Sequence, residues 1–406
     1  MSLPLDKIRA GAQTQHEALV AFTQQIIRIP SLPGQEGEVA MAISAEMRRL
    51  GFDEVWTDQA GNVIGKIKGG TGPTILLNGH MDHVDPGPVE GWSYAPFSGQ
   101  IVDEELWGRA SVDMKGPVAA MIYAASLFKQ IDLTPPGDVL MTVPVMEEVG
   151  GLGTLHLAAQ LQAEAAICGE PSGNTLRRGH RGRVGLTITF EGRSAHASVP
   201  HLGLNPHYGA AAFLNQLPTL SMAQDVALGP STVVPTLYTT DQISPNVIPG
   251  KVILSLDWRN VPTESPEAIV TKLQQLVDKA LKTTKSETGS ALVEIVTTEF
   301  ITYTGLKKIL PSIFPSFILA EDNPFIKASQ AVLTAVLGQE QNVDIWRFAT
   351  DGGHLMAAGI PTIGFGPGDE TLAHTNQERL NLSQLKAAVP AYAALTLTLA
   401  EAAANV

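Results

Sequence analysis

Four short apolar runs in this chain each end at a residue equipped for chemistry. Thr74-Ile-Leu-Leu-Asn-Gly leads into His80 and Asp82, and Val139-Leu-Met-Thr-Val-Pro-Val-Met leads into Glu147 and Glu148. Ala165-Ala-Ile-Cys-Gly stops at Glu170, and Pro361-Thr-Ile-Gly-Phe-Gly leads through Pro367-Gly-Asp-Glu to His374. Apolar runs of this length, punctuated by glycine and proline, read as strands buried on both faces. Open α/β sheets place their ligand sites just outside the carboxyl ends of such strands. The expected class is therefore α/β, with a mixed sheet that gathers acids and imidazoles along one rim.

The segments between these runs have helical spacing. Residues 5–29 read as one helix, stopped by Ser31-Leu-Pro33-Gly, and residues 37–50 as a second, ended by Gly51. Residues 117–128 are apolar all round, too short to span a bilayer, and read as a buried helix. Residues 178–303 have a different texture. A strand from Arg183, a helix over 206–217, strands over 232–238 and 251–258, a helix over 265–282 and a strand over 291–298 give the order β-α-β-β-α-β, the ferredoxin-like pattern. Apolar α/β segments resume afterwards. The expected organisation is a catalytic domain formed by residues 1–177 and 304–406, interrupted by an inserted domain at 178–303. Residues 309–317, with Pro311 and Pro315, read as a return linker.

Composition narrows the chemistry. The 406 residues carry 40 acids against 27 basic side chains, a formal charge of −13, which argues against a nucleic-acid or anionic-membrane partner. A single cysteine, Cys168, excludes both an intrachain disulfide and a cysteine-rich zinc site. Any metal must be held by His, Asp and Glu. The N-terminus lacks the basic-then-apolar pattern of a signal peptide, so the expected location is the cytoplasm.

Divalent cations of hard or borderline character take imidazole nitrogen and carboxylate oxygen. His80, Asp113, Glu148, Glu170 and His374 lie at the expected rim or on loops leading to it. If Asp113 bridges two cations, His80 and Glu170 hold one and Glu148 and His374 the other. Two divalent cations, three carboxylates and one hydroxide sum to zero charge, and a neutral cluster is much easier to desolvate than a charged one. Glu147 is then the general base, and Asp82, two residues beyond His80, is the hydrogen-bond partner that orients it. Taken singly these pieces also describe a solvated strand end and a loop acid; their number and order make the case.

His80-Met-Asp82, Trp107-Gly-Arg-Ala-Ser-Val-Asp113-Met-Lys-Gly, Glu147-Glu148, Gly169-Glu170-Pro and Ala373-His374 occur in one order. Together they resemble the dinuclear zinc hydrolase family of acetylornithine deacetylase, succinyl-diaminopimelate desuccinylase, aminoacylase and glutamate carboxypeptidase, over essentially the whole chain. The resemblance implies a dizinc aminopeptidase-like catalytic domain with an inserted dimerisation domain, the same five metal ligands with Asp113 bridging, and a cis peptide at Asp113-Met114. It also implies Glu147 as base and Asp82 as the partner of His80. The implied cofactor is two divalent ions per chain, zinc or else cobalt or manganese. His196, in Gly192-Arg-Ser-Ala-His-Ala, resembles a family histidine that reaches the partner subunit's site in a homodimer and stabilises the oxyanion. Asn246 and Arg259 match positions linked to substrate binding. Glu170, where Asp would be the alternative, resembles the deacetylase and desuccinylase branch.

The expected activity is metal-dependent hydrolysis of an amide bond in a small N-acyl amino acid or short peptide. A dipeptidase or carboxypeptidase of the same family is the alternative, and a non-catalytic metal- or peptide-binding relative is the alternative of another class. Asp351-Gly-Gly-His354 reads as a pocket loop, Gly364-x-Gly366-Pro-Gly368 as a close approach to substrate, Glu378 as support for the His374 loop, and His83 as a partly exposed loop histidine.

Overall fold

The computed structural model describes residues 3–284 and 289–405. The chain forms two compact units, the first from Met1–His180, Glu299–Lys308 and Phe317–Val406, the second from Arg181–Thr298 and Ile309–Ser316. Residues 309–317 do more than link. Ile309–Ser316 packs with the second unit, and Ile313–Phe314 pairs antiparallel with the strand Arg183–Glu191.

Among the described residues the first unit is built on a nine-stranded mixed sheet. Its order is Glu54–Thr57, Val63–Ile67, Val139–Val143, Ile75–Asn78, Ala165–Cys168, Thr362–Gly364, Leu176–His180 and Phe317–Ile318, with Val343–Trp346 also on Leu176–His180. The four strands from Val139–Val143 to Thr362–Gly364 run parallel. All are buried throughout, which is why they read as unbroken apolar runs. Leu140, Leu76 and Ala166 stand side by side in register and pack with Leu355 and Ile360. The alternate set Met141, Leu77 and Ile167 faces the other way, so helices are needed on both faces. From Ile75–Asn78 the chain crosses through helix Lys115–Gln130 to one neighbour, then through Leu152–Ala158 to the neighbour on the opposite side. That reversal of strand order opens a crevice beyond the carboxyl end of Ile75–Asn78.

Residues 5–29 form two helices instead of the expected one, Leu5–Thr14 and His16–Ile27, separated at Gln15 (φ −99°, ψ −6°). The break lets the first pack on helix Leu382–Ala403 and the second on Lys115–Gln130. No helix among the described residues is long and apolar enough to cross a membrane.

The second unit has the expected β-α-β-β-α-β order. Its antiparallel sheet runs Thr232–Thr240, Lys251–Arg259, Arg183–Glu191, Ala291–Ile295, with Ile313–Phe314 added to Arg183–Glu191. Arg183–Glu191 and Lys251–Arg259 alternate strictly between buried and partly exposed positions, so one face is core. Val184, Leu186, Ile188 and Phe190 join Val252, Leu254, Leu256 and Trp258 there, beneath Phe213 and Leu273 of helices Pro206–Gln216 and Pro266–Thr283. Both helices begin with proline after a capping side chain, Asn205 or Ser265, that accepts a first-turn N–H.

Candidate metal centre

His80 follows strand Ile75–Asn78 by two residues, and the backbone ladder continues past the strand to hold it. The N–H groups of Gly79 and Met81 donate to the carbonyls of Thr142 and Pro144 at 3.2 and 3.0 Å. This stitches the His80 loop to the segment that delivers Glu147. Gly79 packs closely beneath helix Lys115–Gln130: a Cβ there would lie 2.5–2.6 Å from the methyls of Met121 and Met114, which would have to move aside.

Asp113 sits on the loop before helix Lys115–Gln130, and the Asp113–Met114 peptide is cis. The N–H groups of Val112 and Asp113 donate to one Glu378 oxygen at 3.0 and 3.1 Å. The other oxygen pairs with Arg109, whose guanidinium lies over Trp92. Glu378 is wholly buried. It therefore holds the Asp113 loop, where support of the His374 loop was expected. Lys115, also wholly buried, donates from Nζ to the Ile29 carbonyl at 2.6 Å. It is the only charge opening an otherwise apolar helix, a signal visible in the sequence.

The five expected ligands meet in two groups that share Asp113. His80, Asp113 and Glu170 form one, Asp113, Glu148 and His374 the other, and in each the nitrogen and the two oxygens lie within 4.8 Å of one another. His80 Nε2 is 3.0 Å from Asp113 Oδ1 and 3.7 Å from Glu170 Oε1. His374 Nε2 is 3.1 Å from Asp113 Oδ2 and 3.1 Å from Glu148 Oε2. Each oxygen of Asp113 thus faces a different imidazole. Burial lowers the tendency of His80 to protonate, but hydrogen bonds to Asp113 and Asp82 outweigh it and hold its pKa well above the ordinary value. Hydrogen bonds to Asp113 and Glu148 raise His374 to about 10. Burial, then the neighbouring Asp113, drives Glu170 well above the carboxylate range. Glu170 Oε2 is buried with no hydrogen-bond partner. Nitrogen and oxygen donors this crowded, with an acceptor left over, suit divalent cations.

Glu147 and Glu148 are not at a strand end as expected. The strand stops at Val143, and the two acids open a short helical turn, Glu147–Gly150, bounded by left-handed Met146 (φ 57°) and Gly151 (φ 69°). Successive side chains diverge there because a helical turn rotates each residue by about 100° from the last. Asp82, wholly buried, caps the turn, its two oxygens accepting from the N–H groups of Glu147 and Glu148, each at 3.1 Å. His80 Nδ1 meets the Asp82 carbonyl at 3.1 Å and Oδ1 at 3.4 Å. The closer partner is the carbonyl, which fixes the proton on Nδ1 and frees Nε2 to ligate. Burial holds Glu147 well above the usual range; the charge of His80 opposes this, while Asp351, Glu170 and Glu148 add to it.

The remaining expectations fare differently. His196, Asn246 and Arg259 all lie in the second unit. The Ser198 N–H donates to His196 Nδ1 at 3.1 Å, which leaves the imidazole proton on Nε2. Asn246 accepts from Ser244 Oγ at 2.6 Å, and Arg259 gives Nε and Nη2 to Asp257 at 2.6 and 3.3 Å. His83 is wholly buried, contrary to the loop expectation. It accepts from the Ser31 N–H at 2.9 Å and donates to the Val84 carbonyl at 2.8 Å, and burial lowers its pKa to about 4. Asp351 and His354 are buried at the start of helix Gly352–Ala357, where a pocket loop was expected. The glycines after Pro361 serve internal packing. A Cβ on Gly364 would strike the Trp346 ring, and one on Gly366 the carbonyls of Gly169 and Glu170.

With this geometry in place, comparison with known proteins is direct. The model of peptidase family M20/M25/M40 matches residues 76–398, and the chain belongs to this family of metal-dependent hydrolases. Protein YgeY of Escherichia coli (strain K12), itself described as uncharacterized, is 30% identical over 406 residues, with 98% of each chain covered. The crystal structure of aminopeptidase PepT from Bacillus cereus superposes with a TM-score of 0.74 at 20% identity, over 95% of this chain and 99% of that one. The Bacillus subtilis YXEP protein, a dinuclear metal binding peptidase of the M20 family, gives 0.72 at 18%, over 96% and 99%. The fold is thus that of M20 peptidases, and the resemblance read from the sequence is borne out.

Proposed function

We propose that this chain hydrolyses the amide bond of a small N-acyl amino acid or short peptide, with a deacylase reaction favoured. The observation that supports it most is the sharing of Asp113, one oxygen to each His-carboxylate group, next to the buried Glu147. His80, Asp113 and Glu170 would hold one divalent cation and Asp113, Glu148 and His374 the second, zinc or else cobalt or manganese. Such a pair, when bound, polarises the scissile carbonyl and makes a water acidic.

The chain's own residues do the rest. Glu147 takes the proton of the attacking water on a carboxylate oxygen and delivers it to the leaving nitrogen. Asp82 fixes the imidazole of His80 and the backbone of the Glu147 turn together. The Nε2–H of His196, supplied by the other subunit of a homodimer paired through the inserted unit, donates to the developing oxyanion. Asp257 grips one edge of the Arg259 guanidinium, which orients the group to bind a substrate carboxylate beside Asn246. A dipeptidase or carboxypeptidase reaction is the second reading, favoured by the peptidase names of the structural neighbours.

The deciding experiment measures initial rates on acetylated amino acids, succinylated amino acids and dipeptides under one metal, repeated with zinc, cobalt and manganese. Turnover confined to acylated substrates supports the deacylase; dipeptides alone would move the assignment to a peptidase. Two bound metals per chain with no turnover on any panel member would sink both in favour of a binding protein.

A further inference from the structure

The Glu147 turn is capped at its first residues by Asp82. Its other end abuts a different part of the chain. Gly151 closes the turn in a left-handed conformation, and a Cβ there would lie 2.5 Å from His354 Nε2 and 2.9 Å from Asp351 Oδ1. The Asp351 segment therefore presses directly on the backbone that ends the turn.

Asp351 also grips the helix that follows. Thr154, on Leu152–Ala158, donates its hydroxyl to Asp351 Oδ2 at 2.6 Å. The same hydroxyl oxygen accepts from Asn78 Nδ2 at 3.2 Å, and Asn78 ends the strand that delivers His80. Asp351 is itself anchored behind. Thr350, one residue earlier, donates its N–H to His180 Nε2 at 3.1 Å. Asp351 is 1% exposed, and its Oδ1 is buried without a hydrogen-bond partner.

We infer that Asp351 is a positioning residue for Glu147, bracing the C-terminal end of its turn through Thr154 and Gly151 while Asp82 braces the N-terminal end. This rests on the reading of Glu147 as the base. Freed of the brace, the carboxylate drifts relative to the attacking water. A displacement near 1 Å costs up to about a hundred-fold in rate without changing which groups bind substrate.

The test uses metal-loaded full-length protein, four variants and a fifth, Glu147→Gln, as control. Asp351→Ala and Thr154→Val should each lower kcat between about ten- and a hundred-fold, with KM and two metals per chain retained. Asp351→Asn keeps an acceptor for Thr154 and should restore most of kcat; Thr154→Val keeps the side-chain volume and loses the hydroxyl, so its slowing is the result that loss of packing alone would not predict. The double variant Asp351→Ala/Thr154→Val should lose less than the product of the two single losses, because the Thr154–Asp351 link can be cut only once, while Thr154→Val also removes the acceptor of Asn78. Wild-type kcat in Asp351→Ala and Thr154→Val, or additive losses in the double variant, would overturn the inference. Glu147→Gln serves as the control. If it is inactive while the others turn over normally, only the brace is wrong; if it is active, the base assignment falls and the brace with it. Should Asp351→Ala fail to fold, Thr154→Val decides by itself, normal kcat overturning the inference.

Discussion

His80 and His374 approach Asp113 through the same atom at nearly the same distance, 3.0 and 3.1 Å, but the side chain of His80 is 1% exposed and that of His374 is 50% exposed. His80 is stitched to the central strands by backbone hydrogen bonds. His374 rides on a loop after the short 3-10 helix Glu370–Leu372, with a left-handed backbone of its own (φ 62°). One half of the shared rim is therefore built into the core, and the other is laid over it from outside. The difference teaches that a chemically symmetric ligand set need not be symmetric in stability or access. The difference lies in the histidines alone, since the Glu148 side chain is 6% exposed and that of Asp113 9%, both as buried as the inner group.

The largest expected effect falls on the group that serves both halves. Glu147→Ala should lower kcat by about 10²–10⁴-fold while metal analysis still finds close to two ions per chain. Parallel loss of metal would make Glu147 a ligand and dissolve the division of labour. Next come the histidines themselves, compared as metal-free proteins by chemical denaturation. His80→Ala leaves Asp113 with His374 alone and takes from Glu170 its neighbouring imidazole in the interior, and should cost about 3–5 kcal/mol, whereas His374→Ala should cost about 1 kcal/mol or less. Equal losses would erase the contrast. Third, dilute chelator should remove metal in two phases, the ion at His374 and Glu148 leaving first; a single phase removing both would show that access does not distinguish them. The smallest effect tests the scaffold behind the inner half. His83→Ala leaves the Ser31 N–H and the Val84 carbonyl without their partner and should cost about 1–3 kcal/mol in stability, with kcat close to wild type. A large fall in kcat would instead place His83 in the chemistry.

How far the sequence reveals this architecture depends on where each partner lies. The rim was legible because strands buried on both faces are unbroken apolar runs, and the first polar residue after each stands out. The second unit was legible for the complementary reason, since the alternation of Val184, Leu186, Ile188 and Phe190 has the period of a one-sided sheet. Asp113 follows no strand of the main sheet, so its bridging place rests on charge counting and on the resemblance, not on the strand pattern. Glu378 reaches the Asp113 N–H from 265 residues away, and Asp351 reaches Thr154 from 197. No local pattern encodes such contacts. His83 was misplaced because its partners are backbone groups, which carry no side-chain signature. The break at Gln15 was invisible because both flanking helices share one apolar spacing.

Asp82 binds its fate to two functions at once, since the same side chain neighbours the His80 imidazole and receives the two N–H groups that begin the Glu147 turn. On the proposed mechanism, retuning cation affinity at this position also retunes proton transfer. Laboratory selection for a new metal preference should accordingly leave Asp82 untouched and accumulate its changes around His374, where adjustment carries no such double penalty.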